Sequence, residues 1–347
     1  MELYYQGLSD AGNVRENNED YWFAGRLKND EYLFIVADGM GGHEAGEVAS
    51  RKAVSIFVRQ LEKEINIEAG EDSTYILDSL RRIVMGVNET LVREGSRSRK
   101  KNGMGTTFSA LYIKKNQGYI VHVGDSRIYL LSPAVVHTGN IDTSTAPGPM
   151  KRLTQLTDDH SFVGKMLKDG LITEEEARNH PRRNVLFQSI GLKKDITIQT
   201  KGPLPIQIGE KYLVCSDGLY GVVPDSKIEE YLNEKSTAQI AGELVKRAKK
   251  NGGPDNISVI VISTEPDETT NLPDTVKIIF SPPKKTRVWF FILLGLLVLL
   301  LVLTISFLVM NIDSHSSPPP PTSLPKSVSP TGNSIGMEAL EPGGKIK

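Results

Sequence analysis

A disulfide is the first thing this chain of 347 residues cannot form within itself, because Cys215 is its one cysteine. That usage fits a reducing compartment for the folded part. No Cys/His pairing of the kind that holds zinc occurs either. An excess of one charge is also missing: Lys and Arg number 41 against 42 Asp and Glu. No global basic field therefore exists to draw nucleic acid. The start, Met1-Glu2-Leu3-Tyr4-Tyr5, lacks a basic region leading into an apolar core, so no cleavable signal peptide is expected. Familiar catalytic signatures are absent as well. There is no GxxxxGK[ST] loop and no GxSxG, Ser126 being followed by Arg127 and Ile128. Cys215 lacks the Arg that a cysteine phosphatase needs after five intervening residues; Gly221 stands there. Gly39-Met40-Gly41-Gly42 does not complete GxGxxG, since position 44 is Glu, and His43-Glu44 meets Glu47 where a zincin has its second His.

What is present begins with one long apolar run. Residues 288–310, VWFFILLGLLVLLLVLTISFLVM, are 23 in number and carry no charge. At about 1.5 Å per residue they reach about 34 Å, enough to cross a hydrocarbon core of about 30 Å. A buried globular helix rarely runs so long without a polar face. Lys284, Lys285 and Arg287 precede the run, whereas the next Lys after it is Lys326. By the positive-inside rule the N-terminal part is expected in the cytoplasm of a single-pass cell-membrane protein, with the tail extracytoplasmic. The tail, 311–347, contains Pro318 to Pro321 among many Ser, Thr and Gly, and is expected to be disordered. The predicted organisation is a soluble domain over 1–264, a linker and basic juxtamembrane segment over 265–287, a transmembrane helix over 288–310, and the tail.

In the soluble part, apolar strand-like runs occupy 32–37, 108–113, 119–123, 128–131, 212–215 and 257–262. Helical spacing covers 47–64, 74–93, 162–168, 174–178, 226–233 and 237–249. Three strands in succession between 108 and 131 suggest an antiparallel meander in a mixed α and β domain. Residues 132–150 are turn-rich and read as a surface loop.

The informative residues are carboxylates. Asp38 in LFIVADGMGG, Asp125 in YIVHVGDSR, Asp217 in YLVCSDG and Asp255 in GGPDNISVIV each lie in a polar turn at one end of an apolar strand. Glu19-Asp20 precede the aromatic run Tyr21-Trp22-Phe23. One such Asp is ordinarily a turn former. Several, three of them beside Gly, suit an oxygen-rich site for a hard cation. Such groups converging without a cation repel and take up protons. Carboxylate, carbonyl and water ligands suit Mg²⁺ or Mn²⁺, and two such ions about 3.5–4 Å apart can activate a shared water against a phosphoryl group. Metal-assisted hydrolysis is the chemistry this pattern hints at.

In order along the chain stand Ser9-Asp10 with Gly12, then Arg15 and Asn18-Glu19-Asp20, and Asp38-Gly39-Met40-Gly41-Gly42-His43. Gly105-Thr106-Thr107, Gly124-Asp125-Ser126-Arg127 and Leu156-Thr157 with Asp159-His160 follow. Ser216-Asp217-Gly218-Leu219 and Asp255-Asn256 close the series. In these motifs and their order the chain resembles the protein phosphatase 2C, or metal-dependent protein phosphatase, family over about residues 1–264. It most resembles the compact bacterial members, some of which are tethered by one membrane helix. The resemblance implies an α+β fold, a four-layer αββα sandwich of two antiparallel sheets. It implies metal ligation by Asp20, Asp38, the carbonyl of Gly39, Asp217 and Asp255, with Glu19 acting through water and Asp38 bridging two Mn²⁺ or Mg²⁺ ions. Asp125 falls on the position that, with Asp217, holds a weaker third metal. Arg15 falls on the phosphate-binding arginine, whose planar fork matches two phosphate oxygens. Residues 161–190 correspond to a flap, whose Arg182-Arg183 are read as exposed charge.

Met40 departs from members that carry His after Asp-Gly and use it as general acid. A thioether donates no proton, which leaves water, His43 or His160 for the leaving oxygen; His122, inside an apolar strand, reads as a packed core residue. The implied activity is hydrolysis of phosphoserine and phosphothreonine on cytoplasmic proteins, opposing a Ser/Thr kinase that a membrane could hold nearby, by a monomeric catalytic domain. The alternative is an inactive phosphoprotein-binding scaffold of the same fold, which the complete carboxylate set disfavours.

Overall fold

The computed structural model describes residues 1–27, 30–65, 72–97, 103–132, 152–266, 297 and 299–305. Chain order opens with strands β1 (Tyr4–Asp10), β2 (Tyr21–Arg26), β3 (Tyr32–Ala37) and β4 (Gly39–Met40), then helices α1 (His43–Ile65) and α2 (Ser73–Arg97). Strands β5 (Gly105–Thr106), β6 (Phe108–Lys114), β7 (Gln117–Val123), β8 (Arg127–Ser132) and β9 (Arg152–Gln155) come next. Helices α3 (Phe162–Lys168) and α4 (Glu174–Asn179) lead to β10 (Gln199–Pro205) and β11 (Lys211–Cys215). The series ends with α5 (Asp217–Tyr220), α6 (Asp225–Glu234), α7 (Thr237–Lys250) and β12 (Ile257–Ser263).

Two antiparallel five-stranded sheets result, ordered β1-β12-β11-β8-β9 and β10-β7-β6-β3-β2, with a small β4-β5 ribbon beside them. The inner strands are apolar on both faces because both faces are covered. Along β12, Ile257, Val259 and Val261 pack with Leu219, Ile228, Leu232 and Leu244 of α5, α6 and α7. The alternate residues Ile260 and Ile262 pack with Phe34, Val36 and Leu111 of the other sheet. In β3 the same period sends Leu33, Ile35 and Ala37 toward Ala49, Phe57, Leu80 and Val84 of α1 and α2. Three apolar seams thus hold four layers in the order helix, sheet, sheet, helix, as the family resemblance implied.

The meander read over 108–131 needs correction. Strands β6 and β7 do pair, Phe108 opposite Val123, but β8 leaves them and joins the second sheet, Leu131 opposite Lys211. The crossing occurs at Gly124, whose φ of 109° is open to glycine, and where a Cβ would lie 2.7 Å from Thr107. Apolar alternation reports that a strand is buried, not which sheet takes it. Strands β1, β2, β9 and β10, which apolar runs did not single out, are the four sheet edges. The loop expected over 132–150 lies outside the described residues beyond Ser132.

The described residues divide into two units, 1–281 and 282–347. Of the expected membrane span, 297 and 299–305 are helical, and the rest lies outside the described residues. Among the described residues no helix is long and apolar enough to cross a membrane.

Two glycine replacements test this reading of the backbone. Gly242, exposed within α7 with nothing near a built Cβ, is expected to gain about 0.5–1 kcal/mol of stability as Ala. Gly124→Ala is expected to lose about 1–3 kcal/mol. Urea denaturation midpoints check both, and a stabilised Gly124→Ala would refute the argument for the crossing.

Candidate metal centre

At one end of the two sheets several carboxylates are brought together by backbone that has little freedom. Asp38 follows the last residue of β3, and its amide donates to Thr107 Oγ1 at 2.8 Å. Its carbonyl accepts from Thr106 Oγ1 and from the Thr107 amide, each at 2.9 Å. Gly39 follows where a Cβ would lie 2.3 Å from the Gly46 carbonyl oxygen and 2.5 Å from that of Glu19, so no other residue fits without movement. The Glu19 carbonyl accepts from the Gly39 amide at 3.2 Å and from Ser50 Oγ at 2.6 Å. Its amide donates to Asn256 Oδ1 at 2.8 Å, and the Asn256 side chain reaches the Ala11 and Asn17 carbonyls at 3.1 and 2.8 Å. One asparagine therefore ties the Glu19-Asp20 segment to the start of β12.

Asp20 is buried, and its Oδ2 accepts from Ser216 Oγ at 2.7 Å. Asp217 is not in a turn, as the sequence suggested, but is the first residue of α5, with Ser216 as its N-cap. Asp125 lies buried in the bend between β7 and β8, its carbonyl accepting from Tyr220 Oη at 2.8 Å. Asp255 precedes β12, and its Oδ2 accepts from Arg15 at 2.9 Å. Asp20, Asp38, Asp125, Asp217 and Asp255 influence one another electrostatically, so the structure does gather what the sequence scattered.

The energetic consequence is strain in the charged forms. Burial first, then Asp20 and Asp217, push the Asp38 carboxyl well above the usual carboxylate range. Asp20 is raised to about 7 by burial, against the pull of Ser258 and Ser216, with Asp217 and Asp255 adding to the rise. Asp217 is raised to about 6 by burial and then by Asp255. Asp125 is lifted by burial, then by Asp217 and Asp159. Each shift marks a place where positive charge is needed.

Two oxygens show how a cation would be received. Asp20 Oδ1 and Asp217 Oδ1 are buried with no hydrogen-bond partner, a costly state for a carboxylate oxygen. Hard oxygen donors with unused lone pairs fit Mg²⁺ or Mn²⁺. Among the described residues, no three acidic or histidine groups already form a finished cage. Arg15 supplies part of the missing positive charge through Asp255, which in turn raises the Arg15 guanidinium.

Beside the carboxylates a second group was present in the motifs without an assigned role. Arg127 Nε and Nη2 donate to the Asp159 carboxylate at 3.0 and 2.7 Å, and its guanidinium lies 3.6 Å from the centre of the Tyr220 ring. Since Tyr220 bonds to the Asp125 carbonyl, the pair Arg127–Asp159 props the Asp125 bend from behind. A cavity of about 300 Å³ opens on this side, bounded in part by Arg127, Tyr220 and Arg183, and one of about 390 Å³ lies over Asp38, Gly39 and Met40. Arg15, Asp125, Asp217 and Asp255 border both.

The histidines divide as follows. His122 is fully buried, with Ser109 Oγ at 2.8 Å and the Asp158 carbonyl at 2.9 Å, and burial lowers it to about 4. It is the packed core residue expected. His160 accepts from the Gly124 amide at 3.2 Å, packs its ring 4.8 Å from that of His122, and borders neither cavity. His43 opens α1, and its side chain lies outside the described residues. Arg182 and Arg183 are both exposed; the first lies 5.4 Å over the Phe162 ring and the second reaches the smaller cavity. Cys215 is buried and its thiol pushed up by burial, the opposite of an activated nucleophile.

A family model described as Protein phosphatase 2C matches residues 12–260. The chain is 36% identical over 270 residues to the serine/threonine phosphatase stp of Listeria monocytogenes, covering 76% of this chain and 96% of the relative. A crystal structure of the catalytic domain of the serine/threonine protein phosphatase PstP, in complex with 2 manganese ions, superposes with a TM-score of 0.59 at 34% identity. That match covers 75% of this chain and 97% of the solved one. The Streptococcus agalactiae serine/threonine phosphatase superposes with a TM-score of 0.64 at 32% identity over 76% of this chain and its own full length.

The raised carboxylates fix a sign for stability against pH. A group held protonated in the folded state above its unfolded value stabilises at low pH, and that contribution is lost as pH rises through the folded value. In EDTA, the melting temperature is expected to fall as pH rises from about 6 to 7.5, through the Asp217 value of about 6 and the Asp20 value of about 7. Excess Mn²⁺ is expected to abolish the fall and raise the melting temperature throughout. Identical curves with and without Mn²⁺ would rule out a cation at these residues.

Proposed function

The chain belongs to the protein phosphatase 2C family, and on that premise we infer that it is a metal-dependent protein serine/threonine phosphatase releasing phosphate from phosphoserine and phosphothreonine. The observation that carries the reading is the buried carboxylate set, with Asp20 Oδ1 and Asp217 Oδ1 unpartnered, beside the exposed guanidinium of Arg15. Asp20, Asp38, the Gly39 carbonyl, Asp217 and Asp255 would hold two Mn²⁺ or Mg²⁺ ions, Glu19 acting through water. Asp125 and Asp217 would share a weaker third. When bound, such ions supply an activated water nucleophile and neutralise phosphoryl charge.

The chain's own residues do the rest. Arg15 leaves Asp255 for the phosphate, to which its fork offers two parallel donors. Asp38 is fixed through three backbone bonds, so its carboxylate need not reorganise during the reaction. Met40, in the cavity, donates no proton, and the His160 Nδ1 is already an acceptor for the Gly124 amide. Water in the cavity is the donor we assign for the leaving oxygen, with His43, whose side chain lies outside the described residues, as the alternative. Opposition to a Ser/Thr kinase, a monomeric catalytic domain and tethering through 288–310 complete the proposal, with the catalytic domain cytoplasmic and the tail extracytoplasmic.

Phosphate release from a phosphothreonine peptide by the full chain is expected with Mn²⁺ and not with EDTA. Asp38→Asn is expected to cost several orders of magnitude in kcat. Arg15→Ala should act chiefly by raising KM if its contact is equal in ground and transition states. Metal-free turnover would refute the mechanism, and metal-dependent peptide binding without turnover would favour a scaffold.

Topology has its own test. In a Cys215→Ser background, Ser323→Cys is expected to react in intact cells with a thiol reagent that cannot cross membranes. Thr270→Cys should react only after lysis. The reverse pattern would place the catalytic domain away from cytoplasmic phosphoproteins.

A further inference from the structure

The cavity over the carboxylates is lined by Met40, Leu186 and Leu192 as well as by charged residues. Alkyl and thioether groups offer a hard cation no ligand and a phosphate no donor, so these three have no part in the chemistry described above. Their position is nevertheless held firmly. Leu186 forms a bridge to Ser161, and Ile190 pairs with Thr106 through two bonds of 2.9 Å. Asn88, fully buried in α2, then clamps the next residues. Its Oδ1 accepts from the Gly191 amide at 2.8 Å, and its Nδ2 donates to the Lys193 and Lys194 carbonyls at 2.9 Å.

One buried amide therefore grips the chain on both sides of Leu192, yet Leu192 itself remains 46% exposed. Its Cγ is 2.9 Å from where a Cβ on Gly105 would stand, which seats it on the ribbon strand that pairs with Met40. Val185 and Phe187, on either side of Leu186, are also exposed but do not line this cavity. Single exposed apolar residues are ordinary, but three that line one cavity on a fixed frame beside a polar site mark a contact surface.

The occupant follows from continuity with the carboxylates. A polypeptide whose phosphorylated residue sits there advances about 3.3 Å per residue if extended, so its neighbours fall within reach of this wall. Met40, Leu186 and Leu192 complement an apolar side chain, and a charged one would lose hydration there without a partner. We propose that they form a subsite for a bulky apolar side chain one or two positions from the phosphorylated residue. Phosphoproteins carrying Leu, Ile, Met or Phe at that position are then the preferred substrate class. The proposal rests on the phosphatase reading for what occupies the carboxylates.

The test uses the full chain with Mn²⁺ and peptides that differ only in the flanking residues: Leu, Ser or Asp. Binding is read by fluorescence anisotropy with non-hydrolysable phosphonate analogues, and turnover by phosphate release from the matching phosphopeptides. The Leu peptide is expected to exceed the Ser peptide on the order of tenfold in both affinity and kcat/KM. Leu192→Asn is expected to bring that ratio close to one, and Leu192→Met to keep it. Equal values for Leu and Ser peptides, or no binding of any phosphonate peptide, would overturn the subsite. A preference for Asp would also overturn it and assign selectivity to Arg182 and Arg183. A Leu preference in binding with no turnover of any peptide would leave the subsite standing and remove the phosphatase reading instead.

Discussion

The mutual repulsion of carboxylates gathered in a buried place is the constraint on which the rest of this structure depends. Asp20, Asp38, Asp125 and Asp217 are all raised by burial and then by a neighbouring carboxylate. Left to themselves such side chains would turn to solvent. The backbone at Asp38 and Glu19 is fixed by groups that carry no charge, Thr106 and Thr107 at the first and Ser50 and Asn256 at the second, while Ser216 donates to the Asp20 carboxylate itself. Apolar packing of three seams supplies the stability that this end of the sheets consumes.

Neutral bonds to the backbone and one oriented ion pair divide the work of support. Arg127 and Asp159 are both mostly buried and joined by two short bonds, so neither charge is left bare. Through Tyr220 they fix the Asp125 bend, while the motif residues nearer the surface remain available to a ligand. Arg15 is the counter-example: half exposed and held by one bond to Asp255, it is free to exchange partners. Burial thus separates charges that hold the site together from charges that use it.

Legibility of the fold followed burial. The six strands read from apolar runs are β3, β6, β7, β8, β11 and β12, and each has a neighbour on both sides. The strands that escaped the pattern in β1, β2, β9 and β10 are edges, half-covered and mixed in polarity. Helix α3 matched the expected 162–168, and α1 began earlier than expected, at His43. Residues of the site were nameable because Asp beside Gly at a strand end is a local pattern. The partnership of Asn256 with Glu19, 237 positions apart, leaves no such trace.

By itself the sequence determined the chemical kinds: oxygen donors for a hard cation, one cysteine and hence no disulfide within the chain, a basic segment before an apolar run, and after Asp38-Gly39 a methionine, which donates no proton. Those are properties of residues and their near neighbours. Tertiary structure alone decided that β8 crosses to the second sheet, that two carboxylate oxygens are left unpartnered, and that Leu192 faces the cavity beside Met40. Each of these depends on the register of distant segments, and register is set by packing across the whole core, which no local period encodes.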